Sequence, residues 1–157
     1  MEKVIFAKMK NQEEVQYQFE VKDLSGMDRV AARVIEALGE PGIVLLEGEM
    51  GAGKTTLVNK LCRHLGVIDT VNSPTFALVN IYLDQNDRKI FHLDLYRLES
   101  TEEFLEAGME DYVTHNYWTF IEWPELAIPF AEGNIYRVKI SATDTGKRKI
   151  TIFSKKD

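Results

Sequence analysis

The stretch Gly48-Glu49-Met50-Gly51-Ala52-Gly53-Lys54-Thr55 constrains this chain more than any other. It fits G-x-x-x-x-G-K-[ST] at every fixed position. Glycines, lacking a Cβ, let backbone N–H groups turn inward on phosphate oxygens. A helix that starts at the lysine adds the partial positive charge of its N-terminus. The lysine amine reaches outer phosphates, and the threonine hydroxyl suits Mg²⁺. Such a loop needs a strand before it and a helix after it. Ile43 to Glu47 is a short, nearly continuous apolar run, as in a strand buried on both faces. Lys54 to Leu65 reads as a helix that ends at Gly66. Nucleotide contacts are expected from Gly48, Gly51, Ala52, Gly53, Lys54, Thr55 and Thr56.

The remaining elements follow from periodicity. Glu14 to Val21 alternates as a strand. A helix follows, with Ser25 and Asp28 in capping-box spacing and Val30, Ala31, Val34, Ile35 and Leu38 at helical intervals. Phe76–Asp84 and Lys89–Tyr96 flank a polar turn and predict a hairpin. Ser100 and Glu103 predict a second capped helix, Tyr117–Trp123 an aromatic-rich strand, and "NIYRVKI" with "RKITIF" a closing hairpin. The expected fold is α/β: a P-loop NTPase-like three-layer sandwich with a mixed, mostly parallel central sheet and a C-terminal β-hairpin. With 157 residues the chain predicts a single domain over 1–157, residues 1–13 forming an extra strand or an extension.

Composition narrows the function. A net charge of −6 excludes a nucleic-acid binder held by a basic surface, so any nucleic acid would be met through a partner. The one cysteine, Cys62, excludes an internal disulfide, fits a reducing compartment and sits in an apolar helical pattern as a buried side chain. No run reaches the roughly 18 apolar residues of a membrane span, and no secretion signal opens the chain. A cytoplasmic protein is the expectation, with no membrane partner.

Three further segments accompany the loop. Asp94 ends an apolar strand, where a carboxylate commonly holds Mg²⁺ directly or through water. A solvated strand-end Asp is the plain alternative. His92, two residues earlier, faces the same side. Glu122 and Trp123 end another apolar strand. Parallel neighbours would bring Asp94 and Glu122 to the sheet edge where α/β proteins bind ligands. Glu122 is either a Mg²⁺ ligand or positions a water, and Trp123 either stacks at the rim or packs in the core. Asn72 to Phe76 is either a turn set by Ser73-Pro74 or a switch segment that closes over a γ-phosphate.

Together, the loop, Ser73-Pro74-Thr75-Phe76, His92 to Leu98 and Glu122-Trp123-Pro124-Glu125 resemble the TsaE family, also called YjeE-type P-loop proteins. The resemblance covers about Ile43 to Glu125. It implies an ATPase subunit, with ATP and Mg²⁺, of the bacterial machinery that makes threonylcarbamoyladenosine in tRNA. Partners would be TsaD and TsaB, whose turnover ATP hydrolysis supports. Carried over by position, Lys54 and Thr55 contact the phosphates and Mg²⁺, Glu122 holds or positions the metal, and Asp94 acts in hydrolysis. Ser73 and Thr75 belong to the mobile segment, and Trp123 lies beside the nucleotide. Gly146-Lys147-Arg148 matches a late Gly-Arg hairpin of the family, which makes Arg148 a nucleotide-site residue. The chain departs from the family at Glu49-Met50, where Asp-Leu is usual. It departs again at Leu24 to Asp28, where a Glu-Thr pair usually lies near the base.

Two other enzyme classes use this loop. A small-molecule kinase would need an acceptor site and a closing lid rich in arginine, and the seven arginines here are scattered. A GTPase would carry an N-K-x-D segment, but Asn59-Lys60 runs on into Leu61-Cys62 within a helix. A third class, a binding module with a purely structural nucleotide, would hydrolyse nothing even with partners.

Overall fold

Apolar runs that alternate along the chain with amphipathic helices build one mixed sheet with helices on both sides. The computed structural model describes residues 13–74 and 76–155. The expected extension over residues 1–13 lies outside these except for Glu13, which opens the first strand. In chain order the elements are β1 (Glu13–Val21), α1 (Leu24–Leu38), β2 (Ile43–Glu47), α2 (Lys54–His64) and β3 (Val79–Leu83). There follow β4 (Lys89–Asp94), α3 (Thr101–Glu106), β5 (Trp118–Glu122), β6 (Ile135–Ala142) and β7 (Arg148–Lys155).

The seven strands lie in the order β1-β7-β6-β2-β5-β4-β3. The middle four, β6, β2, β5 and β4, are mutually parallel. The β6–β7 hairpin, the β1–β7 pair and the β3–β4 hairpin are antiparallel. The strand that launches the glycine loop therefore runs through the centre of the sheet. Its apolar continuity has a direct cause, because both its faces are covered. Val44 and Leu46 pack with Phe120, Val138 and the buried faces of α1 and α2. Ile43 and Leu45 pack with Leu93, Ile121, Phe104 and Ile128 on the opposite side. Among the described residues no helix is long and apolar enough to cross a membrane.

Local signals were read with mixed accuracy. Helix α1 buries Val30, Ala31, Val34 and Leu38, as its spacing predicts; Ile35 is only partly buried, and Met27 joins the buried face. Its N-cap is Asp23, not Ser25: the Asp23 carboxylate accepts from the Gly26 N–H at 2.8 Å, and the Ser25 hydroxyl merely donates to that carboxylate. An ionised cap at a helix N-terminus wins over a neutral one because it also meets the helix dipole. At α3 the expected cap holds, with the Glu103 N–H donating to Ser100 Oγ at 3.1 Å.

Two strands fall short of the expected span by two residues or more at one end. β3 starts at Val79 rather than Phe76, because Leu78 takes a left-handed φ of 65° and its N–H donates to the Pro74 carbonyl. β4 stops at Asp94 rather than Tyr96. The Leu95 N–H still reaches the Glu122 carbonyl, but the chain then turns, with the Leu98 N–H on the Leu95 carbonyl.

Candidate functional site

Registry places the acidic residues. In the parallel ladder Leu46 pairs with Glu122, and Glu122 with Asp94, so three adjacent strands end level with one another. The glycine loop leaves the sheet one residue beyond Glu47. Because side chains alternate, His92, Asp94, Phe120 and Glu122 share the face that α1 and α2 cover. Both carboxylates therefore face the helix that begins at Lys54.

The loop is held in place by its neighbours. Gly51 and Gly53 adopt φ of 78° and 107°, a region that side chains rarely enter. Gly48 is required for space, since a Cβ there would lie 2.5 Å from the Ile140 carbonyl oxygen of β6. Arg137 of β6 grips Glu47 with two hydrogen bonds, Nε to Oε1 at 2.8 Å and Nη2 to Oε2 at 2.7 Å, a bidentate fork that fixes the end of β2. From β7, Arg148 Nε donates to the Ala52 carbonyl at 2.8 Å.

Lys54 donates through Nζ to the Gly48 carbonyl. The same ammonium sits 3.7 Å from the centroid of the Trp123 ring. Trp123 reaches it from a left-handed φ of 55°, immediately past the end of β5, and its ring centroid lies 5.0 Å from that of Tyr96. Of the two expectations for Trp123, the rim position is the observed one. Burial depresses the Lys54 pKa below the ordinary lysine value, while Glu122, Asp94 and Glu125 pull it back up. An anion arriving beside the amine would act in the same direction as those carboxylates.

Thr55 Oγ1 contacts both oxygens of Glu122, at 3.0 and 3.1 Å. Glu122 is buried, and His92 Nε2 lies 2.7 Å from its Oε2. His92 Nδ1 is buried with no hydrogen-bond partner among the described residues, an arrangement that costs about 1–3 kcal/mol. Asp94 is buried too, accepting from Ser73 Oγ at 3.1 Å through Oδ2 and from the Tyr96 N–H at 3.1 Å through Oδ1. The plain alternative, a solvated Asp at a strand end, does not describe it.

Two clefts meet at the loop. One, of about 310 Å³, is lined by Gly51, Lys54, Thr55, Thr56, Glu122 and Trp123. The other, of about 300 Å³, lies between the start of α1 and the β6–β7 turn, lined by Asp23, Leu24, Met27, Gly53, Gly146 and Arg148. A larger cavity of about 410 Å³ includes Trp123 and Gly48 in its walls, but neither Lys54 nor Thr55.

Residues 21–150 match the family described as threonylcarbamoyl adenosine biosynthesis protein TsaE. The chain belongs to the TsaE family. A relative from Synechocystis sp., named tRNA threonylcarbamoyladenosine biosynthesis protein TsaE, is 37% identical over 117 residues, covering 69% of this chain and 70% of its own. Proteins of the same name are 33% identical in Bacillus subtilis, over 78% of this chain and 77% of theirs, and 30% identical in Treponema pallidum, over 83% and 93%. The crystal structure of Bacillus subtilis YdiB has the same fold, with a TM-score of 0.66 at 22% identity, covering 90% of this chain and 87% of that one.

Against this family frame, the residues expected from sequence divide clearly. Lys54, Thr55, Asp94, Glu122 and Trp123 converge on the 310 Å³ cleft or its edge, joined by Ser73 through Asp94. Arg148 lies on the other side of the loop, in the second cleft. Thr75 lies outside the described residues. Arg97 lies in the turn after β4 and places its guanidinium 4.2 Å from the centroid of the Phe76 ring. Sequence reasoning missed His92 as the partner of Glu122 and the α1 residues of the second cleft. The signal for His92 was present in its two-residue offset from Asp94. The adjacency of β4 and β5 was not.

Proposed function

We propose that this chain binds ATP across the two clefts and hydrolyses it with Mg²⁺ as a subunit of the bacterial threonylcarbamoyladenosine machinery, working with TsaD and TsaB. One observation carries the reading: Thr55 bonds Glu122 at the end of the glycine loop, Lys54 lines the same cleft, and Asp94 stands level with Glu122 on the next strand. In this reading the nucleotide base and sugar occupy the cleft beside α1 and Arg148. The phosphates lie along Gly51 to Thr56, where loop N–H groups and the helix N-terminus favour anions.

The donor set suits magnesium. Hydroxyl and carboxylate oxygens are hard ligands, and this ion commonly takes one or two protein oxygens and fills its remaining positions with phosphate and water. Among the described residues no three His, Cys, Asp or Glu side chains converge as a metal cage, and Mg²⁺ requires none. Thr55 and Glu122 would hold it, and when bound it neutralises charge on the outer phosphates. Lys54 exchanges its contacts with the Gly48 carbonyl and the Trp123 ring for phosphate oxygens. Asp94, held by Ser73, orients the attacking water, and Ser73 couples that carboxylate to the segment that follows. TsaD and TsaB supply the acceptor chemistry, and tRNA is met through them.

Calorimetric titration with ADP and GTP tests the site. Wild-type protein is expected to bind ADP in preference to GTP, and Lys54→Ala to lose binding. Equal binding by the two proteins would overturn the assignment of the loop.

A further inference from the structure

Resting on that reading, we infer that His92 is a positioning residue for the magnesium site, fixing the carboxylate of Glu122 so that one oxygen stays turned toward Thr55. His92 is fully buried on β4, and Glu122 sits on the neighbouring parallel strand β5. Its Nε2 is 2.7 Å from Glu122 Oε2, the shortest of the contacts described for that carboxylate. An ionised carboxylate only accepts, so the ring hydrogen on this bond belongs to Nε2. The opposite nitrogen, Nδ1, is buried with no partner among the described residues. A bare ring nitrogen is tolerated there more easily than an unpaired N–H would be.

The surroundings explain nothing else about this histidine. Its face of the sheet packs with Tyr82, Phe120 and the apolar sides of α1 and α2, where an aliphatic side chain would leave no orphaned nitrogen. Among the described residues, the one polar contact of the His92 side chain is with Glu122. A glutamate side chain has three rotatable bonds, and Thr55 alone touches both of its oxygens, so Thr55 does not choose between them. His92 makes the choice: it occupies Oε2 and leaves Oε1 for the Thr55 side, where the metal is placed. Groups that orient a metal ligand in this way typically govern about 10–100-fold in metal affinity.

The test measures Mn²⁺ binding to ADP-saturated protein by electron paramagnetic resonance, alongside ADP affinity in EDTA by calorimetry. Wild type, His92→Leu, His92→Gln and His92→Asn are compared. Glutamine places an amide N–H near the Nε2 position, and asparagine falls short of it. His92→Leu and His92→Asn are expected to weaken Mn²⁺ binding about 10–100-fold, while metal-free ADP affinity stays within about threefold and His92→Gln recovers most of the loss. Should the leucine variant fail to fold, the Gln–Asn contrast alone carries the test. Unchanged Mn²⁺ affinity in the Leu or Asn variant overturns the inference, as does an equal fall in Mn²⁺ and metal-free ADP affinity. A wild type that binds ADP but no Mn²⁺ overturns the magnesium reading together with this inference. Loss of metal binding confined to the His92 variants supports both.

Discussion

Gly48→Ala separates the geometry of the loop from its chemistry. The φ of Gly48 lies outside the left-handed region, so alanine meets no dihedral penalty there. It meets β6 instead: the new methyl would stand 2.5 Å from the Ile140 carbonyl oxygen and 3.0 Å from Ile140 Cγ2. Ordinary contact begins at 3.4 Å, so the backbone must yield by about 0.9 Å. The carbonyl belongs to a sheet strand paired on both sides, so the loop is the part that moves. Overpacking of this kind costs about 1–3 kcal/mol. For a chain of this size that is a melting-point drop of roughly 2–12 °C. The displaced residue also carries the carbonyl to which Lys54 donates, and it leads into the loop whose N–H groups the proposed site offers to phosphate. Loss of one hydrogen bond to a charged group is worth about 1.5–3 kcal/mol, or about tenfold or more in affinity. Gly108→Ala is the control, with a φ of 73° and nothing within 4 Å of the added methyl. It is expected to lose about 1–2 kcal/mol from backbone strain and nothing in nucleotide affinity. Urea denaturation and ADP titration on both variants read the two effects separately. If Gly48→Ala binds ADP as wild type does, the argument that β6 sets the position of the loop fails.

Arg148→Ala removes the guanidinium that holds the Ala52 carbonyl and lines the second cleft; ADP affinity should fall about tenfold, by the same charged-hydrogen-bond scale, with little change in Mn²⁺ affinity once ADP is saturating. Affinity within experimental error of wild type would remove Arg148 from the site. Cys62 offers a pH test. Burial pushes its thiol up to about 12, against 9.0 in an open chain, so the unfolded state releases the proton first. Its contribution to stability is whole below the unfolded value and is lost as pH climbs from there toward the folded one, by about 1.4 kcal/mol per pH unit. Urea midpoints on either side of that threshold should show a steeper alkaline loss in wild type than in Cys62→Ala. Parallel losses would mean the thiol is not the group responsible.

Much of this site was legible in the chain because its signals are local. The glycine spacing, the apolar run of β2 and the positions of Asp94 and Glu122 each depend on a few consecutive residues, and the parallel ladder brought them level as expected. What escaped depends on which strands are neighbours. The offset of His92 from Asp94 showed its face, but its bond to Glu122 needs β4 beside β5, a fact carried by packing across the whole sheet. Trp123 was ambiguous because a single left-handed residue turns it from the core to the loop, and a tryptophan gives no hint of positive φ. Strand ends were misread at Phe76 and Tyr96 because their aromatic character suits a strand. In fact both are largely exposed, Phe76 under the Arg97 guanidinium and Tyr96 beside Trp123. At α1, Ser25 fitted the capping-box spacing, but Asp23 lay two residues earlier with a charge to offer.

ATP hydrolysis in the service of an assembly is the proposed activity. Among the arginines, Arg148 is bonded to the Ala52 carbonyl and Arg97 lies over Phe76, so neither is poised on an outer phosphate. An arginine at that point contributes on the order of 10³–10⁵ in rate where it is used. The direct measurement is steady-state phosphate release from ATP and Mg²⁺, with the protein alone, with TsaD and TsaB, and with Lys54→Ala in each case. Slow release alone, a clear rise with both partners, and none from Lys54→Ala are the expected results. Fast release by the isolated chain, or no release with the partners present, would contradict the proposal.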